Sequence, residues 1–221
     1  MKNEFLKRIF STITLLPLVI FLIIKGSLWF LSFLLLCFFI TSYEWYLMSR
    51  KKKYHIPGYI FLIFSFFSAF TLKNSFGNEK EGLAFFLLIL IICISTDIGG
   101  YLFGKILKGP KLIKISPNKT YSGMLGGYFL SFLIIYLLIE RSELLSDLSS
   151  KLTIDEFIFI FLISTVSQIG DIIISYFKRL SKIKDTGKII PGHGGILDRI
   201  DGLIFTFPFT YIMFKFNLLV Y

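Results

Sequence analysis

The chain has 221 residues, 55% of them hydrophobic, with 27 Phe and a formal net charge of +10, and its mean hydropathy is +0.75. That balance excludes a soluble globular domain and points to a polytopic all-α membrane protein, a bundle of transmembrane helices. The two cysteines, Cys37 and Cys93, each sit in an apolar run, which argues against a disulfide framework and leaves the redox compartment open.

A hydrocarbon core about 30 Å thick takes roughly 20 helical residues to cross. Windows near that length predict about seven spans: Ile9 to Ile24, Leu28 to Met48, Pro57 to Leu72, Leu83 to Phe103, Ser122 to Ile139, Ile154 to Phe177 and Gly202 to Val220. The basic start MKNEFLKR precedes an apolar run without a small-residue cleavage site, so it reads as an uncleaved first span. Lys2, Lys7 and Arg8, then Arg50 to Lys53, Lys105 to Lys119 and Lys178 to Lys188 place an excess of base on alternate loops. By the positive-inside rule those loops, and the N-terminus, are expected to be cytoplasmic. The loops NSFGNEKEG and ERSELLSDLSSK carry no basic excess and suit the other side. Most of the positive charge is thus a cytoplasmic face that also attracts anionic membrane lipids, and no nucleic-acid partner is expected. Two regions are expected: 1–80, a membrane region of about three spans, and 81–221, a catalytic membrane region of about four spans with two basic loops.

Polar residues inside this oil carry the chemistry. From Gln168 to Gly202 the chain holds four Asp and six Lys or Arg. Ser164, Gln168, Asp171, Ser175 and Lys178 recur every three or four residues, so a helix places them in one stripe about 80° wide, with Arg179 beside it. Asp97, Tyr101 and Lys105 form a second polar line. Asp198 and Asp201, three apart, fall at the start of the last predicted span, where a helix would aim both carboxylates at one point. Ionised acids within a bilayer are costly and usually mark a substrate, ion or proton path. The plainer alternative is a salt bridge to one of the lysines, and for Glu44, beside Trp45, that plainer reading is preferred. Carboxylates suit a hard cation such as Mg²⁺ shared with substrate phosphates. The turn PGHGGILDR can bring backbone N–H groups to an anion. His193 within it is open between a phosphate ligand, a general acid and a structural hydrogen bond. In KISPNKTYSG, Lys119 and Thr120 stand where they could reach phosphate oxygens at the start of the fifth span.

Ser175, Lys178, Arg179, Lys184, Asp185, Gly187, His193, Gly194, Gly195, Asp198, Arg199 and Asp201 together resemble, without a gap, the signature of the phosphatidate cytidylyltransferases, also called CDP-diacylglycerol synthases. The resemblance extends upstream through KISPNKTYSG and DIGGYLFGK to Asp97, and more loosely to YEW and KRIFSTITLLPLVI. It departs in having fewer spans before Asp97, as in a compact member, and in reading Tyr121, Ser122, Gly123 where many relatives carry Trp-Glu-Gly.

The resemblance implies a nucleotidyltransferase of phospholipid biosynthesis in the bacterial inner membrane, joining CTP and phosphatidate with its site toward the cytoplasm. It implies Mg²⁺ held by Asp171 and Asp198, with a second, monovalent ion such as K⁺. Asp201 would support the ion or orient Arg199, while Lys178, Arg179 and Arg199 would act in catalysis on the phosphates. Substrate contacts are expected from Lys119, Thr120, Ser175, Lys184, Asp185, His193, Gly194, Gly195 and Asp97. The alternatives are another CTP-dependent membrane lipid kinase and an ion-coupled transporter. The transporter predicts inverted repeats, and none is evident. Helices lined with small residues are sparse, which leaves a homodimer as an expectation carried by no motif.

Overall fold

The structure, a computed structural model, describes residues 14–15, 17–75, 78–113, 116, 119–141, 153–189 and 194–218. The named elements are all helices: α1 (Ser27–Ser49), α2 (His55–Asn74), α3 (Glu79–Leu107), α4 (Tyr121–Arg141), α5 (Ile154–Leu180) and α6 (Leu203–Lys215). Residues 17–25 form a helical stretch ahead of α1. Five helices, α1 to α5, are long and apolar enough to cross a membrane, so the chain is a polytopic helical membrane protein. The first predicted span begins outside the described residues. The last is shorter than predicted: α6 has 13 residues, about 20 Å, and gives way to a turn in which Asn217 adopts φ 50°.

Local chemistry sets the helix ends. Asn78 caps α3 by accepting the Lys80 N–H at 3.0 Å, and Glu79 and Glu81 occupy its first turn, where negative charge complements the helix dipole. Glu156 reaches back to the backbone N–H and hydroxyl of Thr153 at the start of α5, half of a capping box. At the other end of α5, Ile183 N–H donates to Lys178 O and Lys182 N–H to Arg179 O, both at 3.0 Å, with Lys182 at φ 56°. This is a Schellman stop, and it turns the chain into the loop that carries the signature.

The chain divides into two compact units, Met1–Phe70 with Phe177–Ile200, and Thr71–Tyr176 with Asp201–Tyr221. In the first, the last turn of α5 docks through aromatic rings on α1 and on Tyr54, just ahead of α2. Phe177 lies 5.3 Å from Trp45 and 4.7 Å from Tyr54, centroid to centroid. The Trp45 indole donates to His55 O at 3.0 Å, and Ser181 Oγ to Met48 O at 2.7 Å.

In the second unit α3 and α4 approach through glycine. A Cβ on Gly99 would lie 2.3 Å from the Gly126 carbonyl oxygen, so the two backbones touch where any side chain would separate them. Phe85 stacks on Phe159 and Phe86 on Phe207, and Thr96 donates to Ser164 at 2.8 Å within the buried core. Because a backbone carbonyl cannot swing away as a side chain can, Gly99→Ala should destabilise the protein by about 1–3 kcal/mol. Thermal unfolding in detergent measures it.

Candidate functional site

In the first unit the site is built around two carboxylates that grip one loop. Asp198 Oδ2 accepts the backbone N–H groups of Thr186 at 2.8 Å and Gly195 at 3.1 Å. Its Oδ1 takes the Lys178 ammonium at 2.8 Å, with the two side chains only 12% and 6% exposed. Burial alone would raise the Asp198 carboxyl. The Lys178 ammonium and the Thr186 and Gly195 N–H groups outweigh it, so the carboxyl is held below the ordinary aspartate value.

Glu44, on α1, holds the same loop from its other side. Its Oε1 accepts Ile196 N–H at 3.0 Å, and its Oε2 accepts Leu197 N–H at 2.8 Å and the Thr186 hydroxyl at 3.0 Å. Glu44 is 1% exposed. Among the described residues no lysine is paired with it, contrary to the salt bridge preferred from sequence. At Gly195 and Ile196 the backbone N–H groups meet carboxylates of the chain itself, Asp198 and Glu44. A Cβ on Gly187 or Gly195 would lie 2.5 Å from Glu44 Oε1, and one on Gly195 also 2.3 Å from Thr186 Oγ1, so neither position has room for a side chain.

Arg179 donates to Ile183 O at 3.2 Å, and Lys184, Asp185 and Arg199 are exposed. Gly194 has φ 88°, a conformation that favours glycine. His193 lies outside the described residues.

In the second unit Asp171 meets Lys119. The Lys119 ammonium is 2.5 Å from Asp171 Oδ2, with the side chains 22% and 32% exposed, and Ser175 donates to Oδ1 at 3.3 Å. The helix stripe and the KISPNKTYSG loop, separate in the sequence, are thus joined. Lys119 is presented by a small hairpin: Leu112 N–H donates to Lys119 O at 2.8 Å and Tyr121 N–H to Pro110 O at 3.1 Å. Thr120 caps α4, its Oγ1 accepting Gly123 N–H at 3.1 Å. Ser122 bonds Thr120 Oγ1 and donates to Lys108 O, so it braces the hairpin. Asp97 is exposed on α3, and Lys105 turns to the Tyr101 hydroxyl at 3.3 Å.

Asp198 and Asp201 do not begin a helix, which corrects the expected i, i+3 pair. They lie in the turn before α6, which starts at Leu203; Arg199 N–H closes that turn on Ile196 O at 2.8 Å. Asp201, 8% exposed, accepts Gly202 N–H at 2.9 Å. Its backbone packs on α5 beside Asp171, since a Cβ on Gly170 would lie 2.9 Å from Asp201 O.

Fold and site define a class: an all-helical membrane protein with carboxylates and lysines set against each other at its glycine turn and hairpin. Residues 59–217 match the model of the Cytidylyltransferase family. A phosphatidate cytidylyltransferase of Rickettsia bellii (strain RML369-C) is 35% identical over 96% of this chain and 91% of its own length. One from Staphylococcus aureus (strain COL) is 38% identical over 137 residues, 62% of this chain and 51% of its own, so the chain spans about half the length of that relative. The chain belongs to the cytidylyltransferase family.

The Lys178 and Asp198 pair is the stiffest charge contact here. Removing one partner of a buried pair costs about 3–5 kcal/mol, so Lys178→Met should be strongly destabilised and Lys178→Met/Asp198→Asn less so, by thermal unfolding. Because the Asp198 carboxyl is depressed, its stabilisation is present above the unfolded value and lost as pH falls through the folded one. Asp198→Asn should therefore trail wild type by a constant margin from about pH 8 to 5, and the margin should shrink below about pH 4.

Proposed function

We propose that the protein transfers a cytidylyl group from CTP to phosphatidate, giving CDP-diacylglycerol and pyrophosphate, at the cytoplasmic face of a bacterial inner membrane. An oxygen of the lipid phosphate attacks the α-phosphorus of CTP, and the bond from that phosphorus to the bridging β-phosphate oxygen breaks. A phosphate monoester is nucleophile enough, so no activated Ser or Cys is required. The obstacle is repulsion: at about 4 Å and an effective dielectric near 20, each pair of like unit charges costs roughly 4 kcal/mol.

The observation that supports this reading is the partly exposed pair of Lys119 and Asp171. An exposed ion pair contributes about 1 kcal/mol or less. It can therefore separate, the carboxylate taking a cation and the ammonium a phosphate. The donor set fits a hard divalent ion: Asp171 has one long hydroxyl contact on Oδ1. Among the described residues no three His, Cys, Asp or Glu side chains cluster, so water and phosphate oxygens would complete the shell, as Mg²⁺ prefers. Asp171 is the proposed Mg²⁺ ligand, Asp198, the other acid expected to hold it, being already met by the Lys178 ammonium and two N–H groups, and K⁺ is proposed as a second ion. Bound Mg²⁺ would polarise the α-phosphorus and neutralise charge on the phosphates.

Lys119 would bind a phosphate oxygen once released from Asp171. Lys178 is held by Asp198, so it offers a fixed positive charge, while the exposed Arg179, Lys184 and Arg199 would neutralise the triphosphate and the leaving pyrophosphate. Ser175 orients the Asp171 carboxylate.

The purified protein, given phosphatidate and CTP with a divalent ion, should carry an α-phosphate label into lipid and leave a γ-phosphate label in water. A lipid kinase would do the reverse. Asp171→Asn should lower turnover by about two to three orders of magnitude with the fold retained by circular dichroism; full activity in that variant sinks the ligand assignment.

A further inference from the structure

We propose that Glu44 is a positioning residue for this site: its buried carboxylate holds Thr186, Ile196 and Leu197 in place and so fixes where Asp198 and Lys178 stand. The inference rests on the cytidylyl-transfer reading above. Both Glu44 oxygens face backbone N–H donors, and Oε2 also takes the Thr186 hydroxyl, which suits an acceptor-only carboxylate. Thr186 is the transmitting residue. Its hydroxyl binds Glu44 while its N–H binds Asp198, so one residue cannot shift relative to the first carboxylate without shifting relative to the second.

Three further features show how closely the loop is moulded on Glu44. Leu197 is 0% and Thr186 4% exposed. Gly187 and Gly195 are stripped of any Cβ on the side where Glu44 Oε1 lies. The loop also departs from α5 through a hydrogen-bonded stop anchored to α1 by Ser181. At 1% exposure Glu44 itself is sealed from solvent, so it acts through the loop.

The test uses the full chain in detergent. Glu44→Gln puts an NH₂ where an oxygen now accepts, opposing an N–H donor. Exchange of the Ile196 and Leu197 amides should rise about 10- to 100-fold, the range for losing a hydrogen bond to a charged acceptor. Turnover per folded molecule should fall about tenfold or more, and the Mg²⁺ needed for half the maximal rate should rise. The KM for phosphatidate should stay within about twofold. Thr186→Val should move exchange and Mg²⁺ requirement in the same direction, and Thr186→Ser, which keeps the hydroxyl, should restore most of the loss; this pair carries the test if Glu44→Gln does not fold.

A lower melting temperature with unchanged turnover and Mg²⁺ requirement would make Glu44 merely structural and overturn the inference. So would wild-type exchange at both amides. If the wild type transfers no cytidylyl group, the functional reading falls; raised exchange in Glu44→Gln then still upholds the hold of Glu44 on Ile196 and Leu197, and unchanged exchange overturns it separately.

Discussion

A carboxylate removed from water must be given donors, and the loop between α5 and α6 is shaped by that requirement. Hydrogen bonds to a charged group contribute about 1.5–3 kcal/mol each, and a buried acceptor left without them costs at least as much. Glu44 and Asp198 together take four backbone N–H groups, one hydroxyl and one ammonium. A loop this rich in glycine would otherwise have many conformations. Two carboxylates restrict them at Thr186, Asp198 taking its N–H and Glu44 its hydroxyl.

The two lysine pairs answer to different physics. Lys178 and Asp198 are almost sealed from solvent, and the aspartate has N–H partners besides its cation. Separating them strands a charge. Lys119 and Asp171 are wetter, and Asp171 has one weak additional donor. Separating them costs little, because water and an incoming ion can replace what is lost. One pair is thus a fixed contact, and the other a carboxylate whose counter-ion can leave.

Much of this was legible in the chain. Hydropathy windows located α1 to α5, because a helix in lipid must be apolar over nearly its whole length and few other residue patterns satisfy that. The stripe through Asp171 and Ser175 follows from helical period alone. The pairing of Lys119 with Asp171 was not legible, since period says which face a residue occupies and nothing about the loop that comes to meet it. The helical placement of Asp198 and Asp201 failed for a local reason. Spacing of three is read as helical by default, but a carboxylate collecting N–H groups from its own loop favours a turn. Glu44 left a faint signal, as the only acid in the 23 residues of α1, and a preference for lysine partners obscured it.

Glycine in the signature carries two meanings that sequence alone merges. A glycine-rich turn next to basic residues reads as a cradle for a ligand's phosphate, and the backbone N–H groups here are indeed directed at anions. At Gly195 and Ile196 those anions are Asp198 and Glu44. The missing Cβ at Gly187 and Gly195 makes room for a carboxylate of the protein itself. Part of the turn is therefore scaffold. Around it Lys184, Lys188 and Arg199 are exposed. Burial separates two kinds of residue in this stretch: Thr186 and Leu197 are enclosed, whereas Lys184 and Arg199 are exposed to solvent.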